Sequence, residues 1–416
     1  MLTWCMEDWK ISSKRRLFML PGPSEPYPEI LEKLQNRVLP HYGPDWDKAF
    51  SRVRKDLKKV FQTKGGIILY PGSGEAATHM AVANTIKPRD RVITLTNGFF
   101  GDYINMAVEA FGGKSILMRE SFGKAIDPEK VRKVAVKEKD AKAIFVVHVE
   151  TSSGVENPIR EIAEIAEETG KACIVDAIAS LGGAELKMDD WNIDICLGYA
   201  SKALGSIHVL SPTAVSKEIW DNIEEKSQYM TPYFIDFSAW KHMRWGGTHP
   251  VTMPTMNVLA LGEAVKIALQ EGLRNRWKRH DVAGKAVREG VRAMGLSVLP
   301  EEENAAGTIT AVKVPKGAEN RIRNLMMEKF NIMLGASLGG LVQGKATYGK
   351  GELVRIGHMG VVASPEYVVP TLAALEQVLP EADFDVKGSG VNAALEIFKQ
   401  QPKEWINGLI AKLMGK

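Results

Sequence analysis

The chain is short of cysteine, of aromatic residues and of long apolar runs, and each shortage excludes something. Three cysteines in 416 residues, Cys5, Cys173 and Cys196, are too few and too scattered for a disulfide framework or a zinc site. Free thiols in a reducing compartment are expected, and no metal. No stretch reaches the ~18 consecutive apolar residues of a membrane span, and the most apolar runs, such as Ala143–Val149, have only strand length. Met1–Arg16 mixes Glu7 and Asp8 with Lys10, Lys14, Arg15 and Arg16 and lacks the apolar core of a secretory leader. Leu413-Met414-Gly415-Lys416 matches no sorting tripeptide. A cytoplasmic location, with no membrane partner, is the default expectation. An excess of one charge is lacking too. The 54 Lys+Arg face 50 Asp+Glu, a formal net charge of +4, and no dense basic block follows Lys14–Arg16, which argues against a nucleic-acid partner.

What is present is the composition of an ordinary globular protein, with 45% apolar, 25% charged and 7% aromatic residues. The length suggests two or three domains and a core that stands without staples. From about Lys64 to Val209, short β-branched runs alternate with helix-period segments, the pattern of βα units around a largely parallel sheet. Strands are expected at Ile67–Tyr70, Val92–Thr96, Ser115–Met118, Ala143–Val149, Ala172–Asp176, Ile193–Gly198 and Ile207–Leu210. A helix with the apolar face Ile159, Ile162, Ala163, Ile165 and Ala166 is expected to stop at Gly170. Past about Leu259 the texture becomes that of a smaller α+β unit. It holds a long helical stretch over Val258–Gly295, with Gly272 and Gly284 as interruptions, then strands at Thr308–Val314, Ile332–Leu334 and Leu353–Ile356 and helices at Arg321–Phe330 and Tyr367–Val378. The reading is an α/β protein with an N-terminal arm (1–20), a large domain (21–260), a smaller α+β domain (261–384) and a helical extension (385–416) after Gly388-Ser389-Gly390. There are no internal repeats.

Sheets of this kind bind ligands outside the carboxyl ends of their strands, and three unusual segments fall there. Gly72-Ser73-Gly74-Glu75 follows a strand and opens a helix, so its N–H groups at a positive helix end suit a phosphate. It is equally a strand-to-helix turn that needs glycine for its dihedrals. It lacks the Gly-Lys-Ser/Thr ending of a nucleotide P-loop and the spacing of a dinucleotide fingerprint. Asp176 ends an apolar strand, where a charge is costly without a cationic partner, although an Asp there also caps turns. Lys202, in Tyr199-Ala200-Ser201-Lys202-Ala203-Leu204, is either a snorkelling surface residue or an amine held near a cofactor. In this order they describe a pyridoxal 5'-phosphate site, with a carboxylate for the pyridinium nitrogen and a lysine for the aldehyde.

The chain resembles the class V aminotransferases of pyridoxal phosphate fold type I, most closely the alanine–glyoxylate / serine–pyruvate branch, over roughly Leu17 to Leu379. The motifs that carry the resemblance are Pro21-Gly22-Pro23-Ser24, Gly72-Ser73-Gly74, Asn97-Gly98-Phe99-Phe100-Gly101, Glu150-Thr151-Ser152-Ser153-Gly154-Val155 and Asp176-Ala177-Ile178-Ala179-Ser180-Leu181-Gly182-Gly183. They continue with Ser201-Lys202-Ala203-Leu204, Gly247-Thr248-His249-Pro250 and Arg355-Ile356-Gly357-His358-Met359-Gly360. The resemblance implies a mainly parallel seven-stranded sheet in the large domain and a homodimer with shared active sites. It implies that Lys202 forms the Schiff base with the cofactor and moves the proton from substrate Cα, and that Asp176 pairs with the ring nitrogen. Ser73, Gly74, Glu75 and Ser201 would hold the phosphate, with Trp245 and Thr248 reaching it from the neighbouring subunit. Phe100 and Ile178 would cover the two ring faces and Thr151 would bond the ring oxygen, with Gly22 and Arg355 on the substrate side and Arg355 binding its carboxylate.

Three departures bear on the substrate. Ser201 stands where the branch has Gln, Gly205-Ser206-Ile207-His208 replaces a Pro-Pro-Gly turn, and the Gly335–Gly351 loop is longer than the branch's short Gly-Lys turn. The leading expectation is transfer of an amino group from a small amino acid, alanine or serine, to a 2-oxo acid such as glyoxylate or pyruvate. One alternative is a transaminase with another donor, an aminophosphonate or pyridoxamine. Another is a lyase or desulfurase, which needs a mobile catalytic cysteine, whereas Cys173 and Cys196 fall inside expected strands. A cofactor-free binding protein on the same scaffold would be expected to lack the lysine or the aspartate, and both are present.

Overall fold

The computed structural model describes residues 16–35, 37–224, 231–242, 249–338, 341–342, 345–346 and 351–401. Seven strands form the larger sheet: β1 (Gly66–Pro71), β2 (Arg91–Thr96), β3 (Lys114–Arg119), β4 (Ala141–Val147), β5 (Ala172–Asp176), β6 (Ile195–Leu197) and β7 (Leu210–Val215). Their order is β1-β7-β6-β5-β4-β2-β3. All neighbours pair in parallel except β7, which runs antiparallel to both β1 and β6. The expected alternation of βα units and mainly parallel sheet are therefore present. Strands such as β1 and β5 are buried nearly throughout because helices cover both faces, which is why they read as continuous apolar runs rather than as alternation.

The last strand departs from the expectation. It begins at Leu210 rather than Ile207 and runs on through Pro212 to Val215. Proline discourages a strand reading because it has no N–H for the ladder. Here Pro212 lies beside the short end of β6, and its carbonyl still accepts from Gly198 N (2.8 Å).

The helices follow their sequence signals. Pro44–Phe61 starts on proline, carries Asp45 and Asp47 in its first turn and Lys58 and Lys59 in its last, and stops at Gln62 in the left-handed conformation. Its face Trp46, Phe50, Val53, Leu57, Val60 and Phe61 enters the main core. Ile159–Glu168 buries the expected apolar face. Of the two expected interruptions, Gly272 (φ +81) separates Thr255–Glu271 from Leu273–Ala293. Gly284 does not break the second helix; it gives room, since a Cβ there would lie 2.9 Å from Arg288 Nη1 and 3.0 Å from His358 Cε1.

A second sheet of five strands has its own apolar cluster. Ile332–Ala336, Leu353–Gly357, Ile309–Lys313 and Ser297–Val298 pair antiparallel, and Leu17–Met19 joins the edge in parallel with Ile332–Leu334. The end of the expected N-terminal arm is thus a strand of this sheet. Gly388-Ser389-Gly390 starts a helix rather than a free linker. Ser389 Oγ accepts from Asn392 N (3.2 Å), and Gly390–Lys399 packs Ala394 and Phe398 into the second core. The expected apolar stripe from Trp405 to Leu413 lies outside the described residues.

Candidate active site

Because β1, β2, β4, β5 and β6 are parallel, the residues following them emerge at one edge of the sheet. There they surround a cavity of about 210 Å³. Ser73 caps the helix Gly74–Thr85 by accepting from Ala76 N (3.4 Å), and Ser73, Gly74 and Glu75 line the cavity at the positive end of that helix. At Gly74 a Cβ would lie 2.6 Å from Ile178 Cδ1, so the isoleucine closes directly over the turn and would have to move to admit a side chain.

Asp176, the last residue of β5, is 6% exposed. One carboxylate oxygen accepts from Ile178 N (2.9 Å). Burial pushes its pKa up to about 7, with Ile178 N–H and Lys202 opposing the rise and Glu150 adding to it. Lys202 faces the same cavity, and its Nζ donates to Pro21 O (2.6 Å). Burial, assisted by the Arg355 guanidinium, pulls its pKa down to about 8, against the pull of Glu75 and Asp176. An amine with so low a pKa sheds its proton far more readily than a surface lysine. The lysine turn is clamped from both sides. Ser24 Oγ donates to Lys202 O (2.8 Å) and Ser24 N to Ser201 O (3.1 Å). The fully buried Arg276 donates to Ala203 O (2.7 Å) and Gly182 O (2.9 Å).

Phe100 and Thr151 complete the wall. Glu150, wholly buried, accepts at one oxygen from Phe100 N (3.0 Å) and Gly101 N (3.1 Å). At the other it accepts from Ser152 N (3.0 Å) and Ser152 Oγ (2.6 Å). It thereby fixes the start of the helix that carries Phe100. Burial raises its pKa, and these four bonds oppose the rise. Arg355 comes from the second sheet. Its Nη1 donates to Thr151 O (3.0 Å) and its Nε to Ala336 O (2.5 Å), and burial pulls its pKa down to about 10. It sits beside Thr151, close enough for its charge to bear on Lys202, and is not among the residues that line the cavity itself.

The structure thus brings together Gly22, Ser73, Gly74, Glu75, Phe100, Thr151, Asp176, Ile178, Ser201 and Lys202. Trp245, Thr248 and residues 339–340, 343–344 and 347–350 of the Gly335–Gly351 loop lie outside the described residues. The only two cysteines among the described residues, Cys173 and Cys196, are buried in strands, where burial pushes both thiols up. Among the described residues no group of His, Cys, Asp and Glu is placed to hold a metal ion, and no helix is long and apolar enough to cross a membrane.

Residues 27–366 match the aminotransferase class-V family. The chain belongs to that family. This class-V aminotransferase is 35% identical to an uncharacterized aminotransferase of Methanocaldococcus jannaschii over 94% of this chain and 100% of the relative. Its fold superposes on the crystal structure of the ureidoglycine–glyoxylate aminotransferase of Bacillus subtilis with a TM-score of 0.86, at 29% identity over 94% of this chain and 100% of the other. Pyridoxamine–pyruvate aminotransferase from Mesorhizobium loti gives 0.84, at 28% identity over 92% and 97%. The two-sheet architecture is that of pyridoxal phosphate fold type I.

Several residues at the aminotransferase cavity are given no role by the sequence. Thr78 and Tyr103 line it and lie one helical turn beyond Gly74 and Phe100, so helical spacing alone carries the signal for them. Tyr199 and His208 also line it, and Pro21 supplies its carbonyl to the lysine from 181 residues away. No local pattern marks that contact.

Proposed function

We propose that this aminotransferase binds pyridoxal 5'-phosphate and moves an amino group from a small amino acid, alanine or serine, to a small 2-oxo acid, glyoxylate or pyruvate. The observation that carries the reading is a half-buried amine and a buried carboxylate sharing one cavity with an open helix turn. The donor set fits the cofactor. Backbone N–H groups of Gly74 and Glu75 with the hydroxyls of Ser73 and Ser201 suit the phosphate, Asp176 suits the ring nitrogen, Thr151 the ring oxygen, and Phe100 and Ile178 the two ring faces. When bound, pyridoxal phosphate supplies an aldehyde carbon and an electron-poor ring that takes up the electron pair left at a deprotonated Cα.

The protein's own part follows from its electrostatics. Lys202 Nζ, with its pKa drawn down to about 8, is the base that takes the proton from substrate Cα and returns it elsewhere. Asp176, costly to ionise alone, gains a partner when a cationic ring nitrogen lies opposite, and its carboxylate then holds the proton on that nitrogen. Arg355 uses two donor groups on backbone carbonyls and keeps further N–H groups of its fork for a substrate carboxylate. Two half-reactions at one site make the kinetics ping-pong.

Glyoxylate and pyruvate are the acceptors in the names of the two solved relatives. Their donors differ, so the identity of the amine rests on the alanine–glyoxylate resemblance. The reading includes a homodimer, because that resemblance assigns Trp245 and Thr248 to the neighbouring subunit's site. The test is an absorbance spectrum of the purified protein with added pyridoxal phosphate. A near-ultraviolet or visible band, absent in Lys202→Ala and discharged by alanine or serine, is expected. A protein that stays colourless defeats the reading, and discharge by pyridoxamine or an aminophosphonate alone moves it to the other donor class.

A further inference from the structure

The cavity wall holds a hydrogen-bonded serine and histidine, and the mechanism above leaves the histidine without a role. Ser201 Oγ lies 2.9 Å from His208 Nδ1, and both residues line the cavity. Ser201 is fully buried next to the lysine, while His208 is exposed at the cavity mouth. His208 arrives there because β7 runs antiparallel to its neighbours, so the residues preceding it reach the same sheet edge as the residues following the parallel strands.

Its backbone is held from three directions. Asn257 Nδ2 donates to His208 O (2.9 Å), Gly72 N to Val209 O (3.1 Å), and Val209 N to Tyr199 OH (3.3 Å). Val209 has φ +79, a conformation that a β-branched residue adopts only under constraint and that clusters at functional sites. The strained residue is therefore tied to the turn that opens the phosphate-type helix and to a cavity tyrosine, and it sets the position of the imidazole beside it.

A hydroxyl has one hydrogen. If Nδ1 accepts that hydrogen, Ser201 presents only lone pairs to the cavity and repels an anion. If Nδ1 carries a proton and donates to Oγ, the serine hydrogen is free to point at an anionic oxygen. We propose that His208 is a positioning residue that donates through Nδ1 to Ser201 Oγ and thereby turns the Ser201 hydroxyl into a donor for the cofactor phosphate. Among the described residues no carboxylate hydrogen-bonds the histidine ring, so the couple is not a nucleophilic triad. The proposal rests on the cofactor reading above.

The test is fluorescence titration of the full chain, freed of cofactor, with pyridoxal 5'-phosphate and with pyridoxal, which lacks the phosphate. Ser201→Ala is expected to weaken pyridoxal phosphate binding about tenfold, as for loss of one hydrogen bond to a charged group, and His208→Ala by a smaller, severalfold factor, because the hydroxyl keeps its hydrogen but loses the donor that orients it. The double variant is expected to be no worse than Ser201→Ala, and pyridoxal binding to change less than twofold. His208→Asn, whose amide nitrogen takes the place of Nδ1, is expected to restore most of the affinity. Nitrogen-15 spectra, with His208 identified by its loss in His208→Asn, are expected to show Nδ1 protonated once inorganic phosphate or the cofactor is bound.

Additive losses, equal losses for pyridoxal, or an unprotonated Nδ1 in the loaded protein overturn the proposal. Failure of the wild-type chain to bind pyridoxal phosphate at all overturns the function reading with it. Wild-type binding with unchanged variants overturns this proposal alone.

Discussion

Replacing Gly22 by alanine tests the placement of Lys202 most directly. The methyl carbon would sit 2.3 Å from Lys202 Nζ, 2.4 Å from Cε and 2.7 Å from Cδ, on a backbone with φ +121. Two costs separate cleanly. The backbone cost of a side chain in that conformation is about 1–3 kcal/mol. The overlap cost is relieved by swinging the flexible lysine away, which breaks its bond to Pro21 O, and hydrogen bonds to charged groups are worth about 1.5–3 kcal/mol. Gly43 is a control, with φ +89 and open space, nothing lying within 4 Å of where a methyl carbon would project, so Gly43→Ala carries the backbone cost alone. Urea denaturation of both variants is expected to show Gly22→Ala less stable than Gly43→Ala by about 1.5–3 kcal/mol. Reconstitution with pyridoxal phosphate, followed by absorbance, is expected to fail or weaken severely in Gly22→Ala and to stay normal in Gly43→Ala. Equal denaturation midpoints together with a normal absorbance band in Gly22→Ala would refute the reasoning, because the amine would then not occupy the space beside residue 22.

Two further outcomes follow from the buried carboxylates. Glu150→Gln puts an amide NH₂ where one of two oxygens now accepts from backbone N–H groups, and whichever way the amide turns, at least one N–H loses its acceptor. A stability loss of about 1–3 kcal/mol is expected in urea denaturation, and an unchanged midpoint would show that the cap carries no weight. Asp176 has a folded pKa raised to about 7 against roughly 3.9 in an unfolded chain, so the folded state binds the extra proton between those values. In the cofactor-free protein, stability is expected to fall as pH rises from about 4 to about 7, by on the order of 4 kcal/mol at most. Asp176→Asn should flatten that slope, and parallel wild-type and variant curves would contradict the assignment.

Much of the site is legible in the sequence because it depends on local pattern plus one rule of α/β sheets. The apolar runs ending at Tyr70, Asp176 and Gly198 mark strands, and parallel strands carry the residues after them to one edge. Ser73, Asp176 and Lys202 therefore gather into one cavity on pattern alone. The exceptions have identifiable causes. Pro212 disguises β7, so His208, just before that strand, has no local reason to be placed beside Ser201. The tie of Arg355 to Thr151 O depends on how the second sheet packs against the first, so no pattern around Arg355 announces it. Glu150 stands out only as part of a motif, and its role as a helix cap needs residues about fifty positions apart to meet.

Composition, periodicity and the types of residue at strand ends are properties of neighbouring positions, and they were enough to specify the layered α/β architecture and the chemistry of the amine, carboxylate and phosphate-type turn. The acceptor for Lys202, the arginine that clamps its turn, the imidazole beside Ser201 and the edge strand Leu17–Met19 were decided only by folding. Each joins segments whose proximity results from the packing of whole layers and from the one antiparallel strand, and no short stretch of chain encodes either.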